Sequence, residues 1–189
     1  MKKLIAIGAI ALVMTSCAST GVSAVTRTSA VVHQQVERPV NLIQQAVAAK
    51  VSFIQTAIET SNTAKVNKVI SQLKGQVHKT WYVFSGDTPR GWDCSGMTMW
   101  AYGQLGVNLE HRASKQKYEG TLVKTPKFGD IVAFTYKGSQ SAYHVGIYLS
   151  PDEMIHAGGG KGDYTSIVRI SKFAGKYSNV TYTRILQTL

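Results

Sequence analysis

The chain has 189 residues, of which 44% are hydrophobic and 16% charged. That is enough for one folded domain with additional segments, and too apolar for a disordered chain. With 21 Lys and Arg against 10 Asp and Glu, the net charge is +11, a field that attracts polyanions. The basic residues are spread along the chain with no RNA-binding motif among them, which excludes nucleic acid as the expected partner.

The N-terminus carries the first strong signal. Met1-Lys2-Lys3 is a short basic segment, and Leu4 to Met14 is an unbroken apolar run of 11 residues. As a helix it spans roughly 16 Å, too short for a bilayer core of about 30 Å, so it reads as an export signal rather than a permanent transmembrane helix. The run ends in Val13-Met14-Thr15-Ser16-Cys17, which resembles a bacterial lipobox, with Met14 where leucine is commoner. Residues 1–17 are therefore read as a signal peptide ending at a lipidated Cys17, which anchors the chain to a membrane. A second cleavage point after Val22-Ser23-Ala24 would instead discard Cys17 and release the protein. Either way the chain is exported to the cell envelope. Its only other cysteine, Cys94, then has no disulfide partner in a disulfide-permissive compartment.

Residues 18–38, rich in Ser, Thr, Val and Ala, read as a flexible tether. Pro39 can open a helix, and Leu42, Ile43, Val47, Val51, Ile54 and Ile58 follow at helical spacing, giving an accessory helix over 39–62. Ser61-Asn62-Thr63 breaks the pattern and caps a second helix that presents Val66, Val69, Ile70 and Leu73 and ends at Gly75. A helix is expected over Cys94–Leu105, with Gly106 as its C-cap. Short strands follow at Ile131–Tyr136, Tyr143–Leu149, Met154–Ala157, Ile167–Ile170 and Val180–Leu186. The expected fold is α+β, with N-terminal helices packed on a small antiparallel sheet of about five strands.

Asp93-Cys94-Ser95-Gly96 sits where a loop meets a helix. Asp93 is a plausible N-cap, and Cys94 then lies in the first turn, where the helix dipole and unused backbone N–H groups favour a thiolate and an oxyanion. Such a nucleophile needs a base. His33, His78 and His111 lie in tether or loop contexts and read as surface residues, whereas His144 and His156 lie in strands flanking Ser150-Pro151-Asp152. A three-residue loop at 150–152 pairs Leu149 with Glu153 and Gly146 with His156, which puts His144 and His156 on one face as diagonal neighbours. A two- or four-residue loop would separate them. Gly146 beside His144 is expected to leave room for the facing helix. Cys94, His144 and His156 could also hold zinc, but the helix-start cysteine is better explained by nucleophilic attack, so no metal and no cofactor is expected.

The blocks Trp81-Tyr82-Val83-Phe84-Ser85-Gly86, Gly91-Trp92-Asp93-Cys94-Ser95-Gly96, Phe128-Gly129-Asp130-Ile131-Val132, His144-Val145-Gly146-Ile147-Tyr148 and Met154-Ile155-His156-Ala157 together resemble the NlpC/P60 family over residues 63–189. The resemblance implies a papain-like domain that hydrolyses peptidoglycan stem peptides, often between γ-linked D-glutamate and diaminopimelate or lysine. It implies Cys94 as nucleophile, His144 as base and His156 as the residue orienting it. It places Tyr82 near the oxyanion, and Asp93, Ser95, Arg112 and Ser114 around the peptide cleft. Phe84 and Ser85 replace the usual Trp-Gly, His111 a common proline and Met97 a leucine or phenylalanine; these departures bear on substrate preference. The expected resting state is a thiolate–imidazolium pair, which in cysteine proteases pulls the thiol pKa to about 3–4. An amidase or acyltransferase on the same scaffold, and a non-enzymatic wall-binding lipoprotein, are the alternative readings.

Overall fold

A computed structural model describes residues 26–158 and 163–186. The signal segment, Cys17 and the cleavage point after Ala24 lie outside the described residues. The chain divides into two units, residues 1–50 and 51–189. Helix α1 runs from Thr26 to Lys74. The tether expected over 18–38 is therefore helical from Thr26 onward, Pro39 does not open the helix, and Ser61-Asn62-Thr63 does not interrupt it. Just before this stretch, Thr56 and Thr60 donate to the Ser52 and Thr56 carbonyls one turn back, so these hydroxyls bond within the helix. The helix stops immediately before Gly75, as its sequence suggests. None of the described helices is long and apolar enough to cross a membrane.

The expected inward face of the helix is buried: Val66, Val69, Ile70 and Leu73 join Trp92, Met97, Ala101, Ile147 and Ile155 in one core cluster. Each such aliphatic side chain contributes about 1.5–3 kcal/mol on full burial. The apolar residues between Leu42 and Ile58 are exposed instead.

A two-residue hairpin, β1 (Asp87–Thr88) and β2 (Gly91–Trp92), leads into α2 (Cys94–Gly103). Helix α2 ends two residues before the expected boundary, and Gly106 (φ 82°) lies in the turn beyond it rather than at the cap itself. A short α3 (Ala113–Gln116) and the strand β3 (Thr121–Val123) follow. Then come β4 (Ile131–Tyr136), β5 (Ala142–Ser150), β6 (Glu153–Ala157), β7 (Thr165–Arg169), α4 (Ile170–Ala174) and β8 (Ser178–Arg184). The sheet is antiparallel in the order β3-β8-β4-β5-β6-β7, six strands rather than five. The extra one, β3, is a three-residue edge strand too short to show a period.

Alternation along β4 separates two layers. Ile131 and Ala133 pack with Val145, Tyr102 and Cys94 on the α2 side. Val132 and Phe134 pack with Met154, Ile170 and Phe173 on the α4 side. Behind α2, the buried Gln116 donates to the Ser95 and Glu110 carbonyls and accepts from the Thr98 hydroxyl, locking α3 to the start of α2.

Candidate active site

Asp93 caps α2 in extended conformation, its Oδ1 accepting from the Gly96 amide at 2.7 Å and the Ser95 hydroxyl at 2.9 Å. The Ser85 amide donates to Oδ2 at 3.0 Å. A Cβ on Gly96 would lie 2.0 Å from the Gly86 carbonyl oxygen, so only glycine lets the 85–86 loop close over the helix start. His111, read from sequence as a surface residue, is half-buried and its Nε2 meets Asp93 Oδ1 at 3.0 Å. Burial pushes the Asp93 carboxyl up, but the hydrogen bonds from Gly96, His111 and Ser95 outweigh it and hold the group below its ordinary value. Asp93 and Ser95, placed at the peptide cleft by resemblance, are thus engaged with each other at the helix start. Arg112 is exposed at the N-cap of α3 and Ser114 half-buried within it.

Cys94 is a free, buried thiol in the first turn of α2. Burial pushes it up; backbone N–H groups of Val145, Ser95 and Cys94 pull it down, and the Asp93 charge adds to the rise, leaving it above a free thiol. The sulfur therefore faces the Val145 amide, one residue beyond His144. Tyr82 is half-buried nearby, its hydroxyl pushed up by burial and by the proximity of Cys94 and Asp93. A Cβ on Gly158 would meet the Tyr82 ring at 2.2 Å, so the ring lies directly on that glycine.

His144 and His156 do share a face, with His144 Nε2 at 2.9 Å from His156 Nδ1. The route to this register differs from the expected one. Ile147 pairs with Ile155 and Tyr148 with Met154, but Ser150 pairs with Glu153. The turn is the two-residue Pro151-Asp152, with Asp152 at φ 67°, and Leu149 is an extra residue in a β-bulge. The bulge supplies the odd residue that the turn lacks. Gly146 makes room for β6 rather than for a helix, since a Cβ there would lie 2.9 Å from the Ile155 oxygen and 3.1 Å from His156 Cβ.

Two partners of the imidazoles had no sequence signal. Ser166, directly opposite His156 on β7, has its Oγ 3.1 Å from His156 Nε2. Phe173 lies against both rings at centroid distances of 4.6 and 5.0 Å. Asp152 holds α4 in place by accepting from the Ser171 amide and hydroxyl, both at 2.7 Å.

Burial lowers His144 to about 3, with His156 adding to the effect and the Asp93 charge opposing it. Burial lowers His156 to about 4. Burial thus pushes the thiol and both imidazoles toward their neutral forms. A consequence follows for stability. Unfolded histidines titrate near 6.5, so the unfolded chain binds more protons than the folded one between that value and the lowered ones. The stabilisation is complete above about pH 6.5 and is lost as pH falls toward 4 and then 3. Urea midpoints measured at pH 7.5, 5.5 and 4.0 are expected to decline in that order, and less steeply for His144→Gln.

A thiol at the start of a helix that packs on an antiparallel sheet bearing two coupled histidines defines a papain-like α+β domain. The NlpC/P60 family profile matches residues 79–187, and the chain belongs to that family. A probable endopeptidase of Corynebacterium glutamicum is 42% identical over 78 residues, 40% of this chain and 35% of the relative. A probable endopeptidase of Haemophilus influenzae, an NlpC homologue, is 27% identical over 135 residues, 70% of this chain and 68% of its own. Among solved structures, the NlpC/p60 domain of the peptidoglycan hydrolase SagA is 27% identical with a TM-score of 0.50, over 67% of this chain and 98% of that domain. The chain thus spans about a third of the length of the Corynebacterium relative.

Proposed function

We propose that the chain is a cysteine endopeptidase that hydrolyses peptidoglycan stem peptides, with Cys94 as nucleophile, His144 as base and His156 as the residue positioning that base. One observation carries the reading: a capped helix start that directs backbone N–H groups at a lone thiol, against a strand whose histidine is tied to a second one. His144 needs a free lone pair on Nδ1 to act as base. That follows if His144 Nε2–H donates to His156 Nδ1, and His156 Nε2–H then donates to Ser166 Oγ. Ser166 is in this view a positioning residue that selects the tautomer.

His144 Nδ1 takes the Cys94 proton while sulfur attacks the amide carbonyl carbon. The Cys94 N–H and Tyr82 hydroxyl stabilise the oxyanion. His144 protonates the departing nitrogen, and water, deprotonated by His144, releases the thioester. The scissile bond in this proposal joins γ-D-glutamate to diaminopimelate or lysine, and Arg112 and Ser114 border the cleft that holds the stem. The export signal and Cys17 supply the location: the cell envelope, tethered to a membrane by lipid.

Digestion of purified peptidoglycan of known cross-link type tests the reading. Fragments with a newly free amine on diaminopimelate or lysine are expected by mass spectrometry. Release of whole stems from the glycan would mean an amidase, and no release would mean a wall-binding protein.

A further inference from the structure

Among the described residues the tyrosines with large exposure are Tyr118, Tyr136, Tyr143 and Tyr177, and all four lie around the β4–β5 loop. Tyr136 and Tyr143 stack face to face, with centroids 4.3 Å apart and planes 18° from parallel. The Tyr143 hydroxyl is fixed by Ser178 Oγ at 2.8 Å. The Lys137 amide donates to the Tyr177 carbonyl at 2.9 Å, and Lys176 Nζ lies over the Tyr177 ring. Tyr118 reaches the same rim, its hydroxyl donating to the Gln140 carbonyl at 3.1 Å in the β4–β5 loop.

A second β-bulge shapes this rim. Phe134 pairs with His144 but Thr135 with Ala142, so Tyr143 is the extra residue and its side chain is re-aimed. From His144 the aromatic row runs to Phe134 at 5.9 Å and on to Tyr143 at 6.5 Å. Phe134 is fully buried, so this row runs beneath the surface, and the rim borders the candidate active site because Tyr143 directly precedes His144 on β5. Stacked face to face, the rings cover each other's inner faces, and Tyr136, 58% exposed beside the hydroxyl-anchored Tyr143 at 37%, offers its outer face and polar edge as an amphipathic surface.

The geometry points to a glycan-binding subsite at the Tyr136–Tyr143 platform, which takes a pyranose ring of the peptidoglycan strand. This rests on the stem-peptide reading above. In such a stem the γ-glutamyl bond follows two residues and a lactyl linker from the sugar, a reach of roughly 10 Å. That matches the two ring steps between His144 and Tyr143. A pyranose offers an apolar C–H face for the tyrosine ring, and its N-acetyl carbonyl and hydroxyls suit the Ser178 hydroxyl and the lysines at 137 and 176. A platform there would hold the strand while the stem enters the cleft.

The test uses the full chain carrying Cys94→Ala, so that binding is read without turnover, and peptide-free glycan strands prepared with an amidase. Cosedimentation is expected to show binding, weakened about tenfold or more by Tyr136→Ala and within twofold by Tyr136→Phe. With Cys94 restored, Tyr136→Ala is expected to raise KM on intact peptidoglycan while cleavage of a soluble stem peptide is unaffected. Absent glycan binding, or equal binding by Tyr136→Ala, would overturn the subsite. So would an equal loss on the soluble stem, which would place the tyrosines in the peptide cleft. Failure of the peptidase reading alone would leave glycan binding intact.

Discussion

Cys94→Ala is expected to reduce stem-peptide hydrolysis by about 10⁴-fold or more, the scale seen when a residue of a nucleophile–base unit is removed. Sulfur supplies the attacking electron pair, and alanine leaves nothing in its place. Cys94 belongs to a buried cluster with Val145, Ala142 and Ala113, and removing one small group from it costs on the order of 1 kcal/mol of stability, so the fold survives. His144→Ala should fall similarly. The double variant should be little worse than either single one, because the two groups act as a unit. Rates on purified peptidoglycan, with thermal unfolding as control, decide this; a Cys94→Ala protein retaining a tenth of the activity would remove Cys94 from the mechanism.

Much of this site was legible because it rests on local rules. An Asp before a helical run is an N-cap wherever the helix packs, and residues two apart on a strand share a face regardless of neighbours. Alternation places His144 and His156 on one face only if an odd number of residues separates the paired strands. The turn has two residues, and the bulge at Leu149 restores the parity. A bulge has no sequence signature here, since it depends on how β5 meets β6. Ser166 and Phe173 were invisible for a related reason: the register of β7 and the docking of α4 are long-range. Burial, which drives thiol and imidazole toward neutrality, is a tertiary property with no sequence signal. His111 does lie in a loop, but the fold brings its Nε2 to 3.0 Å from Asp93 Oδ1, a contact with no sequence signal. Helix α1 differs in the opposite direction: Ser61-Asn62-Thr63 has the residue types of a cap, yet lies inside one helix from Thr26 to Lys74.

The Phe128-Gly129-Asp130 block has a structural explanation that yields the second large effect. Asp130 is fully buried; Arg184 donates to it through Nε at 3.2 Å and Nη2 at 2.8 Å, and the Lys127 amide at 2.7 Å. Gly129 turns the chain at φ 94° and its carbonyl accepts from the Tyr102 hydroxyl at 2.7 Å. The Tyr148 amide donates to the Asp130 carbonyl. This one turn thus ties α2, β5 and β8 together, the first two being the elements that carry Cys94 and His144. Arg184→Met strands a buried carboxylate and should cost about 3–5 kcal/mol, the range for removing one partner of a buried pair. The double variant Asp130→Asn, Arg184→Met should recover part of that loss, because no uncompensated charge remains. Urea unfolding at pH 7.5 reads both. The folded fraction of Arg184→Met should keep its kcat at low temperature, since the pair fixes the frame and touches no reacting atom. A loss below 1 kcal/mol would mean that water already reaches Asp130, and the frame would then have to be held by Tyr102 and the β4–β8 ladder alone.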